Sequence, residues 1–429
     1  MALHESLNEP ASASPRMLRH TPAFRWLLGS DAAETLGDSL LRTLVPLLAV
    51  SVLGAGAMSV SLLNALGLAA FLVCSIPVGV WVERRRKKQV LIFSTLFRAL
   101  LVISLPLAYL MDLLSLSFLL VVVGLLGIAD VLFTTAHATL LPTVLGKDLV
   151  SLATARLHSV RSVVGLATPT VAGVLLKLFA VPFAFLPSVL SYLFSAWSIA
   201  KIREEPSHTP VARRHPLREA RQGFSYCLRN KYLRAMMLSA LLVNCGAMFG
   251  NAASAVYALN HLGITPSGFA LAGTASACGG LLGSVVAAPA LQRFGLGRVK
   301  ILSSVSAIGF LALFPLALHL PGPAVLWLLW TNFGWAALVV VHTVAGADVI
   351  PKLTDPSMLA RVTATNRFFV LGFMPLASLL GGLVATVFGP VSALWGWVLC
   401  AALSALPILC SQIRSWRKVP ENIESTSTA

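Results

Sequence analysis

Apolar stretches of about twenty residues or more alternate along this chain with short polar intervals. Each stretch can cross the ~30 Å hydrocarbon core of a bilayer as one helix of about 20 residues. Twelve spans are predicted, at 24–53, 57–82, 89–111, 114–137, 152–178, 181–201, 235–260, 266–291, 299–319, 322–347, 362–388 and 391–413. The longest polar interval, 202–234, divides them six and six. Its first part, "REEPSHTPVARRHP", reads as irregular; "LREARQGFSYCLRNKYLRAM" has helical spacing with apolar residues interleaved, as in a helix lying along a membrane surface. The expected class is an all-α polytopic membrane protein of two six-helix pseudo-symmetric bundles. Its predicted parts are a tail over 1–23, a bundle over 24–201, a linker over 202–234, a second bundle over 235–413 and a tail over 414–429.

Composition agrees: 57% of residues are hydrophobic, 11% are charged, and mean hydropathy is +0.84. A soluble chain carries roughly a quarter charged residues. The net charge of +16 and pI near 10.2 would suit nucleic acid, but the placement of the basic residues argues otherwise. They gather in alternate intervals, as "ERRRKK" at 83–88, the run 213–234 and "RSWRK" at 414–418, whereas "GAGAM" at 54–58 has no charge. That asymmetry predicts basic loops and both termini in the cytoplasm of a bacterial cell, some contact with anionic membrane lipid, and no nucleic-acid partner. The first apolar run is too long and too charged for a cleavable signal peptide. Six cysteines (Cys74, Cys227, Cys245, Cys278, Cys400 and Cys410) lack metal-site spacing and read as small hydrophobes.

The halves resemble each other. "LPTVLGKDLVSLATARLHS" from Leu141 matches "IPKLTDPSMLARVTATNRF" from Ile350 without a gap, 209 residues on. "GVWVERRRKKQVLI" from Gly79 has a weaker echo from Gly283. Two six-helix repeats predict a transporter with its binding site between the halves at mid-membrane.

At "GVWVERRRKK" the chain resembles the major facilitator superfamily, whose signature there is Gly-x-x-x-Asp-Arg-x-Gly-Arg/Lys-Arg/Lys. Gly79, Glu83, Arg84, Lys87 and Lys88 fill the pattern, with Glu83 for the usual Asp and Arg86 for the internal Gly. The resemblance implies a latch that holds one state of the cycle; a simple topogenic loop is the plainer reading. The second copy has Gln292 in place of the acid. "GIADVLFTTAHATLLPTVL" and "AFLPSVLSYLFSA" are similar to the branch of enterobactin-type siderophore exporters and macrolide efflux pumps, although Pro187 stands where that branch usually has an acid. "GLATPTVAG" resembles the antiporter signature of the fifth helix, with Pro169 and Gly173 present and Thr168 for a typical Gly.

Ionisable residues inside spans mark functional positions. Positions 31, 34, 38 and 42 of "DAAETLGDSLLR" fall within an arc of about 80° on one helix. Facing lipid, each central charge would cost about 2.5–3.5 kcal/mol, so the stripe is expected to face the interior. Asp38 and Arg42, spaced i, i+4, are expected to pair as a structural anchor. Asp31 and Glu34, without a partner on their own helix, are the candidates for proton or cationic cargo; for Asp31 a solvated position at the membrane edge is the alternative. Arg98 reads as a counter-ion to the stripe or a snorkelling side chain. Asp130 reads as a partner of Arg98, a proton carrier or a packing hydrogen-bonder, and Asp348 is the remaining acid near a span. Asn64, Asn244, Asn251 and Asn332 are cavity candidates, with interhelical hydrogen bonds the commoner use. His137, His158 and His342 titrate in a useful range.

No HExxH, P-loop or GxSxG motif suggests an enzyme, and no cofactor or metal is expected. The expected function is a secondary active transporter, a proton-coupled exporter (antiporter) of a drug-like or secondary-metabolite small molecule, working as a monomer. An exporter of an anionic siderophore or lysolipid is the alternative, with a non-transporting membrane sensor behind it.

Overall fold

The structure is a computed structural model that describes residues 22–83, 85–145, 150–202, 216–347, 349–354 and 358–417. Helices build almost all of it. The first half contains α1 (Pro22–Ser51), α2 (Ala57–Glu83), α3 (Lys87–Leu110), α4 (Leu116–Leu145), α5 (Val150–Leu178) and α6 (Leu186–Ala200). A 3-10 turn, Val181–Phe185, precedes α6; Pro187, without an amide hydrogen, cannot bond back to Phe183 in one continuous α-helix. The linker helix α7 (Pro216–Arg229) follows. The second half contains α8 (Lys231–Val256), α9 (Pro266–Phe294), α10 (Leu296–Ala312), α11 (Ala324–Gly346) and the short α12 (Val349–Leu353). It ends with α13 (Leu359–Gly372), α14 (Met374–Phe388), α15 (Pro390–Leu403) and α16 (Leu406–Leu409).

Nine helical stretches among the described residues are long and apolar enough to cross a membrane. The other three predicted spans fall on α1, α2 and α10. α1 carries the acid stripe, and α10 has only 17 residues before its chain loosens into turns. The eleventh predicted span is two helices, since Pro375 cannot donate within a continuous ladder and the chain breaks at Phe373. The twelfth likewise divides ahead of Pro407.

The repeat is nearly gapless. Helical segments start at 22, 57, 87, 150 and 181 in the first half and at 231, 266, 296, 359 and 390 in the second, a constant offset of 209. Within the halves α1 packs on α5 and α6, α3 on α4 and α6, α8 on α14 and α15, and α9 on α11. α7 belongs to the second half: Phe224 stacks on Phe369, and the buried Cys227 packs with Leu233, Met237 and Val362. Burial pushes the Cys227 thiol up to about 11, so it stays protonated, as its reading as a small hydrophobe requires.

The halves meet through α2 with α14 and α5 with α9. These contacts lie at the end opposite the basic loops. There the Ser378 hydroxyl donates to the Ser61 carbonyl at 3.2 Å, and the Thr170 and Thr274 hydroxyls lie 2.8 Å apart. An apolar cluster at that end mixes the halves, with Val50, Ala57 and Val60 against Tyr257 and Trp397. Clusters at the basic end each draw on one half, Phe24, Leu27, Val90 and Leu157 in one and Tyr232, Leu296 and Ile413 in another. Among the described residues the space between the halves therefore opens toward the basic end.

Within the second half, Gly279 and Gly283 of α9 lie under the backbone carbonyls of Phe333 and Ala337 in α11, where an added Cβ would overlap them. Helices this close need glycine. Gly279→Ala is expected to lower the melting temperature of the detergent-solubilised protein by several degrees, equivalent to about 1–3 kcal/mol of overpacking. Gly124→Ala, with open space at its Cβ position, is the control expected to leave it unchanged.

Candidate functional site

Arg98 sits midway along α3 with 1% of its side chain exposed. Three carboxylates surround it. Nη1 donates to Glu34 Oε2 at 2.6 Å and to Asp38 Oδ1 at 3.2 Å, and Nη2 donates to Asp130 Oδ1 at 2.7 Å. The guanidinium carbon lies 5.0 Å from the centre of the Phe133 ring and 5.7 Å from that of Tyr192. Arginine suits this cage because its planar fork serves several acceptors at once and stacks on aromatic faces.

The acids differ in exposure. Glu34 is buried, and Oε1 accepts from the Thr95 and Ser195 hydroxyls at 2.7 and 2.8 Å. Arg98 holds the other oxygen. Asp38 and Asp130 are 32% and 34% exposed, and each keeps one oxygen without a partner among the described residues. The Tyr192 hydroxyl donates to Asp38 Oδ1 at 2.7 Å. One cation thus serves three acids.

A second pair lies one turn nearer the basic end. Arg161 Nε of α5 donates to both oxygens of the buried Asp31, at 2.8 and 3.0 Å, and Nη2 adds a third contact. His137 Nε2 is 3.6 Å from the same carboxylate, too far for a good hydrogen bond.

One expectation is corrected by this geometry, and two alternatives are set aside. Asp38 does not pair with Arg42: Arg98 and Tyr192, reaching across from α3 and α6, take its oxygen, and Arg42 is exposed with no ion pair among the described residues. A long side chain from a facing helix outcompetes an i, i+4 neighbour when the shared face is buried. Asp31 is not a solvated acid at the membrane edge; it is 1% exposed and bound to Arg161. Asp31 and Glu34 both have partners, on other helices where a single-helix projection cannot show them. Arg98 and Asp130 are brought together with the stripe, and Arg98 is not a snorkelling residue.

The remaining candidates are scattered. Asn244 and Asn332 donate to carbonyls of their own helices, at 2.9 Å each, and Asn332 also accepts from Ser276 at 3.3 Å. Asn251 is exposed, and Asn64 Nδ2 is buried without a partner. Pro169 and Gly173 face α9 at the junction of the halves: a Cβ on Gly273 would meet Pro169, and one on Gly173 would touch Ser267. Gly79 has open space around it here, so it is not a close helix contact in this state. Lys88 caps α6, donating to the carbonyls of Ala200 and Ile202 at 2.7 and 2.8 Å, and Lys87 opens α3 beside it. Arg84, Asp348 and the side chains of Glu83 and His158 lie outside the described residues.

Sequence reasoning missed Arg161, Thr95, Tyr192, Ser195 and Ser30, the last two hydrogen-bonded to each other at 2.8 Å. Arg161 alone carried a signal, as an arginine well inside the span 152–178. The 209-residue offset also shows what the second half has lost. Ser239, Ser304 and Ser404 repeat Ser30, Thr95 and Ser195 and still interact, Ser404 with Ser304 at 3.0 Å and Ser239 with the Ser404 carbonyl at 2.8 Å. Val243, Ala307 and Val339 stand where Glu34, Arg98 and Asp130 would be, around a void of about 10 Å³ bordered by His342. The buried Lys300 donates to the His342 carbonyl at 3.1 Å. The charge cage is confined to the first half.

A repeat of apolar helices with charged side chains buried inside its first half suits carriage across a bilayer, and the sequence model of the Major Facilitator Superfamily matches residues 32–352. The chain belongs to that superfamily. It is a secondary transporter. An uncharacterized MFS-type transporter of Bacillus subtilis (strain 168), YvqJ, is 24% identical over 343 residues, 78% of this chain and 80% of that protein. Among solved structures, the nucleoside transporter NupG aligns over 90% of this chain and 98% of its own, with a TM-score of 0.69 and 13% identity. A bacterial homologue of the iron transporter ferroportin, in an inward-facing state, aligns over 92% and 99%, with a TM-score of 0.70 and 13% identity. At such identities these neighbours establish the fold alone.

Proposed function

We propose that the protein is a proton-coupled exporter of drug-like or secondary-metabolite molecules, working as a monomer in a bacterial plasma membrane with its basic end in the cytoplasm. The observation that carries this reading is the arrangement of three carboxylates on the single guanidinium of Arg98, two of them about one-third exposed. With all groups ionised the cage holds surplus negative charge, which a proton or a cationic cargo can neutralise. Glu34, ringed by donors, is the fixed member; Asp130 and Asp38 are the exchangeable ones. Proton and cation compete for the same oxygens, and that competition is what antiport requires.

The superfamily's alternating access supplies the motion. The contacts of α2 with α14 and of α5 with α9 form the closed outer gate here, and the loop from Gly79 to Lys88 is the latch that would close the basic end in the opposite state. Similarity to siderophore exporters and macrolide pumps supports outward transport. Among the described residues no three His, Cys, Asp or Glu side chains converge on a common metal position, so the metal-transporting neighbours lend no ligand set.

The test is transport of organic cations in proteoliposomes with an imposed pH gradient. Asp130→Asn is expected to abolish gradient-driven accumulation while cargo exchange without a gradient persists. Full accumulation by that variant would remove Asp130 from the proton path. Glu34→Gln is expected to lose accumulation and thermal stability together, because its donors are left without an ionised acceptor.

A further inference from the structure

Arg42 is the one residue of the α1 stripe without an ion-pair partner among the described residues. It shares a face with Asp31, Glu34 and Asp38, whose partners are all on α3, α4, α5 and α6, so that face looks into the protein and its cavity. It lies about 14 Å along α1 from the end at Ser51, and therefore at the deep end of a space opening toward the basic loops. Its side chain is exposed, and no carboxylate is within ion-pair distance among the described residues. A guanidinium held at this depth without a counter-ion is costly unless something comes to pair with it. Asp31, by contrast, already occupies Arg161.

We infer that the cargo is zwitterionic, with a carboxylate or phosphate group taken by Arg42 and an amine taken by Asp130 and Asp38. This rests on the reading of the central space as the cargo site. Exposed groups of opposite sign on neighbouring helices match a molecule carrying both charges. A simple cation would leave Arg42 unpaired, and a simple anion would face the free oxygens of two acids. Arginine is the side chain fitted to planar oxyanions, which it binds through paired N–H donors. The basic loops at the open end would draw such a molecule in by its acidic group.

Equilibrium binding to the purified protein in nanodiscs tests this without any gradient. The probes are three aromatic scaffolds, each prepared as the free amino acid, its methyl ester (a cation) and its N-acetyl acid (an anion). The wild type is expected to bind at least one free amino acid about tenfold more tightly than its ester and its N-acetyl acid. Arg42→Ala should bring the ratio of amino acid to ester affinity close to one, Arg42→Lys should keep part of it, and Arg42→Glu should reverse it. An ester bound as well as its amino acid, no amino acid bound, or an Arg42→Ala ratio equal to the wild type's overturns the inference. Amino-acid preference with no proton movement would sink only the coupling; gradient-driven cation transport without the preference would sink only the zwitterionic cargo.

Discussion

Replacing Arg98 with methionine is expected to leave little folded protein. The substitution removes the only cation in contact with Glu34, Asp38 and Asp130 among the described residues, and Glu34 is buried. Breaking a buried pair by deleting one partner costs about 3–5 kcal/mol, a large share of the 5–15 kcal/mol that keeps a typical domain folded. Arg98→Lys should fare little better, since one ammonium cannot serve three acceptors on two sides and loses the stacking against Phe133 and Tyr192. The double variant Arg98→Met with Glu34→Gln should recover part of the loss by removing the most deeply buried charge along with its counter-ion. The yield of monodisperse protein and its melting temperature are the readouts. An Arg98→Met variant that melts within about a degree of wild type would mean the cage contributes nothing to stability.

The second large effect concerns the junction of the halves. With Thr170→Cys and Thr274→Cys in a background lacking the six native cysteines, an oxidant is expected to close a bond between α5 and α9. The hydroxyls already lie 2.8 Å apart, so the side chains need little movement to reach a disulfide's separation of about 2 Å. Cross-linked protein should lose more than ~90% of its transport, because the fold-level exchange between two packings cannot run with one gate sealed. Reductant should restore it. Transport that survives quantitative cross-linking would show that α5 and α9 need not separate.

Most of the fold was legible in the chain. Length and hydropathy alone place the spans, and two short matches at nearly the same offset announce a repeat that the helix starts then show to be almost gapless. The breaks before Pro375 and Pro407 were written in the sequence but were masked by uninterrupted apolar character around them. The site was legible in part. The stripe on α1 could be read from helical geometry, which also points it inward. Its partners could not: Arg98, Tyr192 and Arg161 come from three other helices, and a projection of one helix ranks only neighbours on that helix. Hence the i, i+4 pairing of Asp38 with Arg42 looked attractive and was displaced. Hydroxyls such as Thr95 and Ser195 are too common in membrane helices to stand out until a carboxylate is seen beside them. The emptied counterpart at Val243, Ala307 and Val339 was available through the offset, yet it becomes meaningful only when the first half's cage is known.

The most direct measurement is the proton flux itself. Proteoliposomes loaded with a pH-sensitive dye, at equal pH inside and out, receive an outward gradient of a transported cation. Proton-coupled exchange predicts that the lumen acidifies as cargo leaves, and that Asp130→Asn abolishes the signal while cargo still moves. Cargo movement with no change of lumenal pH in the wild type would contradict a proton exchanged at the Arg98 cage.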